Sequence, residues 1–263
     1  MKSLRFIVVV AGVLAALGII MRQSSTLTSA IDVPKVIVDT IPLCAQKIVK
    51  AYPEKITGYR DNHIFFADGD SLVYDDSICK GYLDKLDHAD IQDMLDQDYT
   101  MDSIPEFLHD PGRVRCDAFF RKMYGATEEE ARRSLVPVDW FGAKVMFTSV
   151  NGAADSLRKV ESALSRYPEL IDYLKGASTF NWRKVRGAER MSAHSYGIAV
   201  DINIKWSDYW LWSNRGVSET DTISYKNRIP LKIVEIFEDY GFIWGGRWYH
   251  YDTMHFEYRP ELL

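Results

Sequence analysis

Residues 192–201 read Ser-Ala-His-Ser-Tyr-Gly-Ile-Ala-Val-Asp, and the spacing of this stretch predicts a local fold. After Gly197, which can bend the chain, apolar residues at 198, 200, 202 and 204 alternate with residues 199, 201 and 203. A period of two predicts a strand with one apolar face. Asp201 then points away from that face beside the small Ala199, which leaves room for an ion. His194 can fold back toward the same point, so both residues are candidate metal ligands.

A second group of donors follows about fifty residues later, in the stretch 248–257. His255 is the third candidate ligand, with His250 as a rival. Two imidazoles and one carboxylate leave a metal position open for water, as a hydrolytic zinc site requires. In an unbroken strand Glu257 shares a face with His255, whereas Asp252 reaches that face only if the chain still turns at residue 253. Spacing alone therefore leaves both carboxylates open as the base.

Outward from these stretches, the chain alternates short helical and strand patterns. We predict a hairpin around Asp68-Gly69-Asp70, a helix over 81–99 and a helix starting after Thr127. In the carboxy-terminal half we predict a strand over 144–150 and a helix from 151 to 167. A further helix over 230–240, ended by a glycine, and a last strand over 255–258 complete the pattern. The elements show no regular βαβ rhythm, which predicts an α+β fold.

The amino terminus carries an export pattern. Lys2 and Arg5 precede an apolar run from Phe6 to Met21, followed by the small residues Thr28-Ser29-Ala30. Residues 1–30 are thus predicted to be a signal peptide, or a retained single amino-terminal anchor in the inner membrane. Either outcome predicts an exported protein of the periplasm or cell envelope.

Composition argues against a nucleic-acid partner and leaves the formation of a disulfide undecided. The formal net charge is −5 and there is no long Lys/Arg run, so we expect no nucleic-acid partner. The three cysteines, Cys44, Cys79 and Cys116, lie outside the donor stretches and have no CxxC spacing. They do not predict a cysteine zinc site, although an oxidising compartment allows one disulfide.

The stretch Ser192–Asp201 resembles the SxHxxGxAxD motif of the D-alanyl-D-alanine metallopeptidases. These are zinc carboxypeptidases and endopeptidases of bacterial cell walls, related in fold to the hedgehog signalling domain. The resemblance implies a Zn²⁺ site formed by His194, Asp201 and His255. It also favours Asp252, three residues before the last histidine, over Glu257 as the general base.

The resemblance covers about residues 145–263 and extends less surely over 109–144. It implies an arginine that stabilises the oxyanion, for which Arg183 is the first candidate and Arg190 the alternative. Ser192 and Arg190 are expected to contact substrate, with a turn cap as the other interpretation of Ser192. The predicted architecture is a hedgehog/DD-peptidase-like zinc peptidase domain over 136–263, with a small antiparallel sheet flanked by helices. A helical and hairpin accessory region over 31–135 precedes it.

The implied activity is zinc-dependent hydrolysis of peptide bonds in peptidoglycan stem peptides, as a D-Ala-D-Ala carboxypeptidase or a related endopeptidase. The alternative is a non-hydrolytic zinc module of the same fold that binds the cell wall or a partner. A module without turnover does not need a carboxylate at position 252, so the sequence favours the enzyme.

Overall fold

The computed structural model describes residues 41–101 and 105–263, which combine short helices with three small antiparallel sheets. The helices are α1 (Leu43–Ala51), α2 (Tyr82–His88), α3 (Asp117–Tyr124), α4 (Glu128–Arg133), α5 (Ala153–Leu164), α6 (Ile171–Leu174), α7 (Trp210–Ser213) and α8 (Leu231–Asp239). The strands are β1 (Ile56–Arg60), β2 (His63–Phe66), β3 (Ser71–Val73), β4 (Leu135–Trp140), β5 (Ala143–Thr148), β6 (Ala199–Asp201), β7 (Phe242–Trp244) and β8 (His255–Tyr258). The class is α+β, as predicted.

The three sheets have simple orders. Strands β1, β2 and β3 form a meander, β4 and β5 form a hairpin, and β8 lies between β6 and β7. The predicted signal or anchor over 1–30 lies outside the described residues. Within the described ranges, no helix has the length and apolar character needed to cross a membrane.

The described residues of the accessory region pack directly on the later part of the chain. Tyr52 of α1 contacts Phe119 of α3 with ring centroids 5.8 Å apart, and Phe120 contacts Tyr196 at 5.6 Å. All four rings are buried in one hydrophobic core. Helix α3 therefore supports the 3₁₀ turn Ala193–Tyr196, which carries His194.

Several local predictions are confirmed. Strands β2 and β3 pair as an antiparallel hairpin, with Gly69 at φ +93° in the connection. The side chain of Thr127 accepts a hydrogen bond from the Glu130 N–H and so caps α4. Helix α8 ends at Asp239, and Gly241 follows in a left-handed conformation with φ +89°.

The predicted helix over 81–99 is wrong beyond its first two turns. Helix α2 ends at His88, and a separate 3₁₀ turn covers Asp93–Leu95. The Asp90 side chain accepts from the Asp93 N–H at 2.8 Å, and the Asp93 side chain accepts from the Asp90 N–H at 3.2 Å. These carboxylates also bind the buried Lys80 ammonium, so local side-chain bonds replace the helical ladder.

The strand predicted from residue 198 is shorter than expected. Strand β6 covers only Ala199–Asp201, and the chain then enters a 3₁₀ turn at Ile204–Trp206 that leaves Ile204 62% exposed. Ala199 is as buried as Val200, so both faces of β6 are covered. The helix predicted over 151–167 is also shorter, since Asn151 and Gly152 have positive φ and α5 ends at Leu164.

The three cysteines are unpaired in the structure. Cys44 is half-buried, Cys79 is exposed and Cys116 is buried, and all three lie within the described ranges as free thiols. The disulfide that the composition allowed is therefore not formed here.

Candidate metal centre

Strand register and one glycine bring the candidate ligands together. Strands β6 and β8 pair antiparallel with Asp201 directly opposite His255. Directly opposed side chains in such a pair lie about 5 Å apart. Gly197, at φ +67°, reverses the chain between His194 and β6, and a Cβ there would lie 2.5 Å from Leu135 Cδ2. The reversal places the two imidazole rings 5.1 Å apart between centroids.

The three side chains form one cluster. Ligand atoms of His194, Asp201 and His255 all lie within 4.8 Å of one another. His194 Nε2 is 3.1 Å from Asp201 Oδ2, and His255 Nδ1 is 2.8 Å from Asp201 Oδ1. All three residues that the sequence identifies as ligands are thus adjacent, whereas His250 lies outside the cluster.

The outer nitrogens of both rings are held by acceptors. His194 Nδ1 donates to the Thr179 carbonyl at 2.5 Å, and His255 Nε2 donates to Glu257 Oε1 at 2.9 Å. In the neutral tautomers these bonds fix, the inner nitrogens present lone pairs to the Asp201 carboxylate. Two lone pairs facing one anion are unfavourable, so this arrangement favours a positive charge between them, either a metal ion or a proton on His255 Nδ1. Metal-binding histidines are oriented by such outer hydrogen bonds.

Two further observations fit a cation at this point. His194 Nε2 is buried and has no aligned hydrogen-bond partner among the described residues. Burial lowers the pKa of His255, but hydrogen bonds to Asp201 and Glu257 outweigh it and raise that pKa to about 10. A proton therefore occupies the position on His255 that a divalent ion can take.

Asp252 lies beside the cluster and forms no ion pair with any residue in the ranges that the structure describes. Residues 253 and 254 form a turn, with the His255 N–H donating to the Asp252 carbonyl at 3.2 Å, so the chain is still turning at Thr253. Asp252 Oδ1 is buried and has no hydrogen-bond partner in the described residues. Burial and the nearby Asp201 charge raise the pKa of Asp252 to about 7. A carboxyl with such a pKa can both accept and release a proton near neutral pH.

Glu257, the other candidate base, forms ion pairs with two arginines. It is fully buried, accepts from Arg115 Nη1 at 2.7 Å and lies 3.3 Å from Arg259 Nη1. Burial alone would raise its pKa, but Arg115, His255 and Arg259 lower it to about 2. A carboxylate so strongly ionised is a poor proton carrier. Its contact with His255 makes it a positioning group for the ligand ring.

We predict that Glu257→Gln weakens divalent metal binding about 10- to 100-fold, since loss of an outer partner of a metal-binding histidine has that effect. The amide still accepts a hydrogen bond from His255 Nε2 but no longer carries the charge that makes the ring more basic. Competition of zinc with a chromophoric chelator measures the affinity. The control is Glu235→Gln on α8, which removes an exposed carboxylate. Equal affinities for wild type and Glu257→Gln would contradict this role.

The cluster opens into a cleft of about 550 Å³. Tyr209, Trp210 and Trp212 line it. Ser192 also lines the cleft and is buried, and its hydroxyl does not cap the 3₁₀ turn that follows. Ser192 thus occupies the N-cap position without a side-chain cap bond, and its contact with substrate stays a prediction.

The two predicted arginines occupy different positions. Arg183 is exposed and its Nη1 donates to the Lys184 carbonyl at 3.3 Å; it forms no hydrogen bond or ion pair with the described cluster residues. Arg190 is mostly buried in the cleft wall and pairs with Asp87 of α2 at 2.8 Å. The structure thus brings Arg190 into the wall of the cleft and leaves Arg183 in an exposed part of its lining.

Sequence reasoning missed two arginines that the accessory region contributes to the cleft, Arg113 and Arg115. Their spacing, on either side of Val114, was the available signal. Arg113 belongs to a buried network that also holds His250, whose Nδ1 lies 2.7 Å from Asp110 Oδ2 and whose Nε2 lies 2.9 Å from the Glu219 carbonyl. These bonds explain why His250 is not a ligand.

One comparison with known proteins bears on this site. Residues 186–258 match a family model described as D-alanyl-D-alanine carboxypeptidase, and this span includes all three cluster residues and Asp252 but not Arg183. No curated protein and no solved structure matches the chain. The matched span and the site geometry agree with the motif resemblance of residues 192–201. The match over residues 186–258 therefore supports the D-alanyl-D-alanine metallopeptidase family for this part of the chain.

Proposed function

We propose that this protein is a zinc-dependent peptidase that hydrolyses peptide bonds in peptidoglycan stem peptides, as a D-alanyl-D-alanine carboxypeptidase or a related endopeptidase. The observation that carries the proposal is the cluster of His194, Asp201 and His255 beside the Asp252 carboxyl, whose buried Oδ1 has no hydrogen-bond partner among the described residues. The family match supports a peptidase that acts on cell-wall peptides. Strand β8 between β6 and β7, flanked by helices, supports a hedgehog/DD-peptidase-like arrangement.

Zn²⁺ suits this donor set. Two neutral imidazoles and one carboxylate are a common zinc combination that leaves a position free for substrate or water. The inward nitrogens, His194 Nε2 and His255 Nδ1, and the Asp201 carboxylate would hold the ion. When bound, zinc supplies Lewis-acid polarisation of the carbonyl and activation of water.

The protein's own groups would carry the proton. Asp252 Oδ1, which has no competing hydrogen bond in the described residues, would accept the proton of the attacking water and later give it to the leaving amine. Glu257 keeps the His255 ring in place, since its Oε1 holds Nε2. Tyr209, Trp210 and Trp212 form an apolar wall that would orient the peptide and exclude bulk water.

Export of the chain, predicted from residues 1–30, would bring this site to the periplasm or cell envelope, where its substrate lies. Assignment of the oxyanion-binding arginine to Arg183 remains a prediction from the resemblance. Arg183 lines the same cleft as the cluster, in an exposed part of the wall.

The test is turnover of defined muropeptides by the purified full-length protein with added zinc. We expect a product shortened by one alanine, or a cleaved crosslink, detected by mass spectrometry. His194→Ala, which removes a ligand, and added chelator should each abolish the product. Zinc binding without turnover of stem peptides or crosslinked wall would overturn the enzyme and favour the non-hydrolytic module.

A further inference from the structure

His250 is a buried histidine of the cleft lining that the proposed mechanism does not use. It is 1% exposed and lies among the residues that line the cleft. Its ring makes a T-shaped contact with the Trp210 ring of α7, with the two centroids 4.6 Å apart. Trp210 is itself part of the cleft wall. The state of the His250 ring therefore bears directly on the shape of that wall.

Both ring nitrogens of His250 face oxygen atoms. Nδ1 lies 2.7 Å from Asp110 Oδ2, and Nε2 lies 2.9 Å from the carbonyl oxygen of Glu219. A neutral imidazole carries one N–H and one lone pair, so it can donate to only one of these two oxygens. An imidazolium carries two N–H groups and can donate to both. These contacts therefore favour a ring with two protons.

Both oxygens act as acceptors. A backbone carbonyl has no proton to give, and the Asp110 carboxylate accepts from the His250 backbone N–H at 2.8 Å and from the Tyr82 hydroxyl at 2.5 Å. Burial alone would raise the pKa of Asp110, but the hydrogen bond of His250 and the charge of Arg113 lower it below its usual value. The Tyr82 hydroxyl is also 3.1 Å from His250 Nδ1, but the charged Asp110 oxygen is nearer and is the stronger acceptor. The proton between Asp110 and His250 therefore belongs to Nδ1.

The charges around the ring also favour a cation. Glu219 binds Arg113 through two bonds of 2.7 and 2.8 Å, and its Oε2 lies 3.4 Å from His250 Nε2. Arg113 Nη1 is 3.6 Å from Asp110 Oδ2, so one guanidinium faces two carboxylates. A charge on His250 makes these four side chains neutral overall, and burial makes an unbalanced charge costly. The other groups packed on the ring are the phenols of Tyr82 and Tyr249 and the indole of Trp210.

Backbone bonds connect the accessory region to the turn that carries the proposed base. Residues 109–110 accept hydrogen bonds from both N–H groups of residues 249–250, each at 2.8 Å. Residues 209–210 bridge residues 251–252, with an N–H···O=C bond of 2.9 Å. The chain that leads to Asp252 is thus held both by the accessory region and by the segment of the aromatic wall. The imidazole ring contacts a side chain from each of these two partners.

We infer that His250 carries both ring protons in the folded protein, and that this imidazolium is a positioning residue for the Trp210 wall and for the turn of Asp252. The positioning role rests on the proposed function, whereas the charge state does not. A neutral ring would turn a lone pair toward one of its two oxygens and lose that contact. The accessory region would then hold the cleft wall less firmly.

NMR of the full-length, zinc-loaded protein with ¹⁵N-labelled histidine tests the charge state. At about pH 7.5 a free imidazole is mostly neutral, so a ring with two N–H protons is distinct. We expect such a ring, and its signals should be absent from His250→Phe. In Asp110→Asn the amide can donate to Nδ1 and its oxygen can still accept from the backbone N–H, so the same ring should keep only one proton. A His250 ring with a single N–H in the wild type would overturn the inference.

His250→Phe also tests the positioning role. Phenylalanine keeps an aromatic ring against Trp210 but cannot donate to Asp110 or Glu219. We expect kcat on the preferred muropeptide to fall about 10- to 100-fold, the range for lost hydrogen bonds to charged groups. One zinc ion should still bind per chain, because no ligand of the cluster is changed. His88→Phe, which replaces an exposed histidine of α2, should keep the wild-type kcat.

Two outcomes would overturn the positioning role. A wild-type kcat in His250→Phe would show that ring packing alone is sufficient, and a parallel fall of kcat and of bound zinc would show a general loss of fold. The Trp210 indole N–H resonance gives a readout without substrate: it should broaden or split in His250→Phe and stay a single sharp signal in His88→Phe. If the wild type hydrolyses no muropeptide, the proposed function fails, while the proton count and the Trp210 resonance still decide this inference.

Discussion

Asp252→Asn should reduce kcat on the preferred muropeptide by about 10²- to 10⁴-fold, the usual contribution of a positioned proton carrier. The amide keeps the shape of the side chain but cannot accept the proton at Oδ1. Asp252 is not one of the three clustered ligands, so zinc affinity should change little. Steady-state kinetics and zinc competition on the same preparation measure the two quantities.

Comparing Asp252→Asn with Glu257→Gln distinguishes the two candidate bases. If Asp252 is the base, Asp252→Asn acts on kcat at saturating zinc, whereas Glu257→Gln acts mainly on zinc affinity, and excess zinc restores much of its activity. The reverse pattern would show that Glu257 carries the proton. The ion pairs of Glu257 with Arg115 and Arg259 and its pKa of about 2 argue against that outcome.

The local structure around the ligands was largely predictable from sequence. Gly197 and the alternation after it predicted a bend followed by a strand, and the last strand was placed at 255–258. These features depend on residues that are close together in the sequence, so a local sequence pattern can predict them. Spacing could not decide between Asp252 and Glu257, because the turn at residue 253 is imposed by tertiary contacts. The buried Thr253 accepts from the Asp208 N–H at 2.7 Å, and such a contact leaves no local pattern.

The long-range parts of the site were not predictable in the same way. Arg115 reaches Glu257 across 142 residues, and this pairing depends on α3 packing under the turn that holds His194. The predicted helix over 81–99 failed for a related reason, since Asp90 and Asp93 bind Lys80 and each other's backbone. Side chains that prefer a local or distant partner override a helical period.

Arg259→Met should lower the free energy of unfolding by about 3–5 kcal/mol, the typical cost of removing one partner from a buried ion pair. Arg259 is fully buried; its Nε donates to Glu261 at 2.5 Å and its Nη1 to the Gly112 carbonyl at 3.1 Å. Its loss leaves Glu261 with only the Tyr52 hydroxyl as a described side-chain partner, and leaves Glu257 dependent on Arg115 and His255. Urea unfolding followed by tryptophan fluorescence measures the change.

A control variant and a rescuing second substitution identify the cause of the stability loss in Arg259→Met. Arg133→Met removes an exposed partner of Glu129 and should cost less than about 1 kcal/mol. Adding Glu261→Gln to Arg259→Met should recover part of the lost stability, because the neutral amide can still accept from Tyr52 without a buried charge. If the double variant is less stable than Arg259→Met, packing of the arginine over Phe120, at 4.9 Å, is the dominant contribution.

This network also links stability to the metal centre. Glu257 touches both Arg259 and the His255 ring, and Glu261 connects Arg259 to Tyr52 of α1. Arg259→Met should therefore weaken zinc binding as well as folding, although Arg259 contacts no ligand of the cluster. A variant that loses stability but keeps wild-type zinc affinity would show that Arg115 alone holds Glu257 against His255, and that α1 does not contribute to the site.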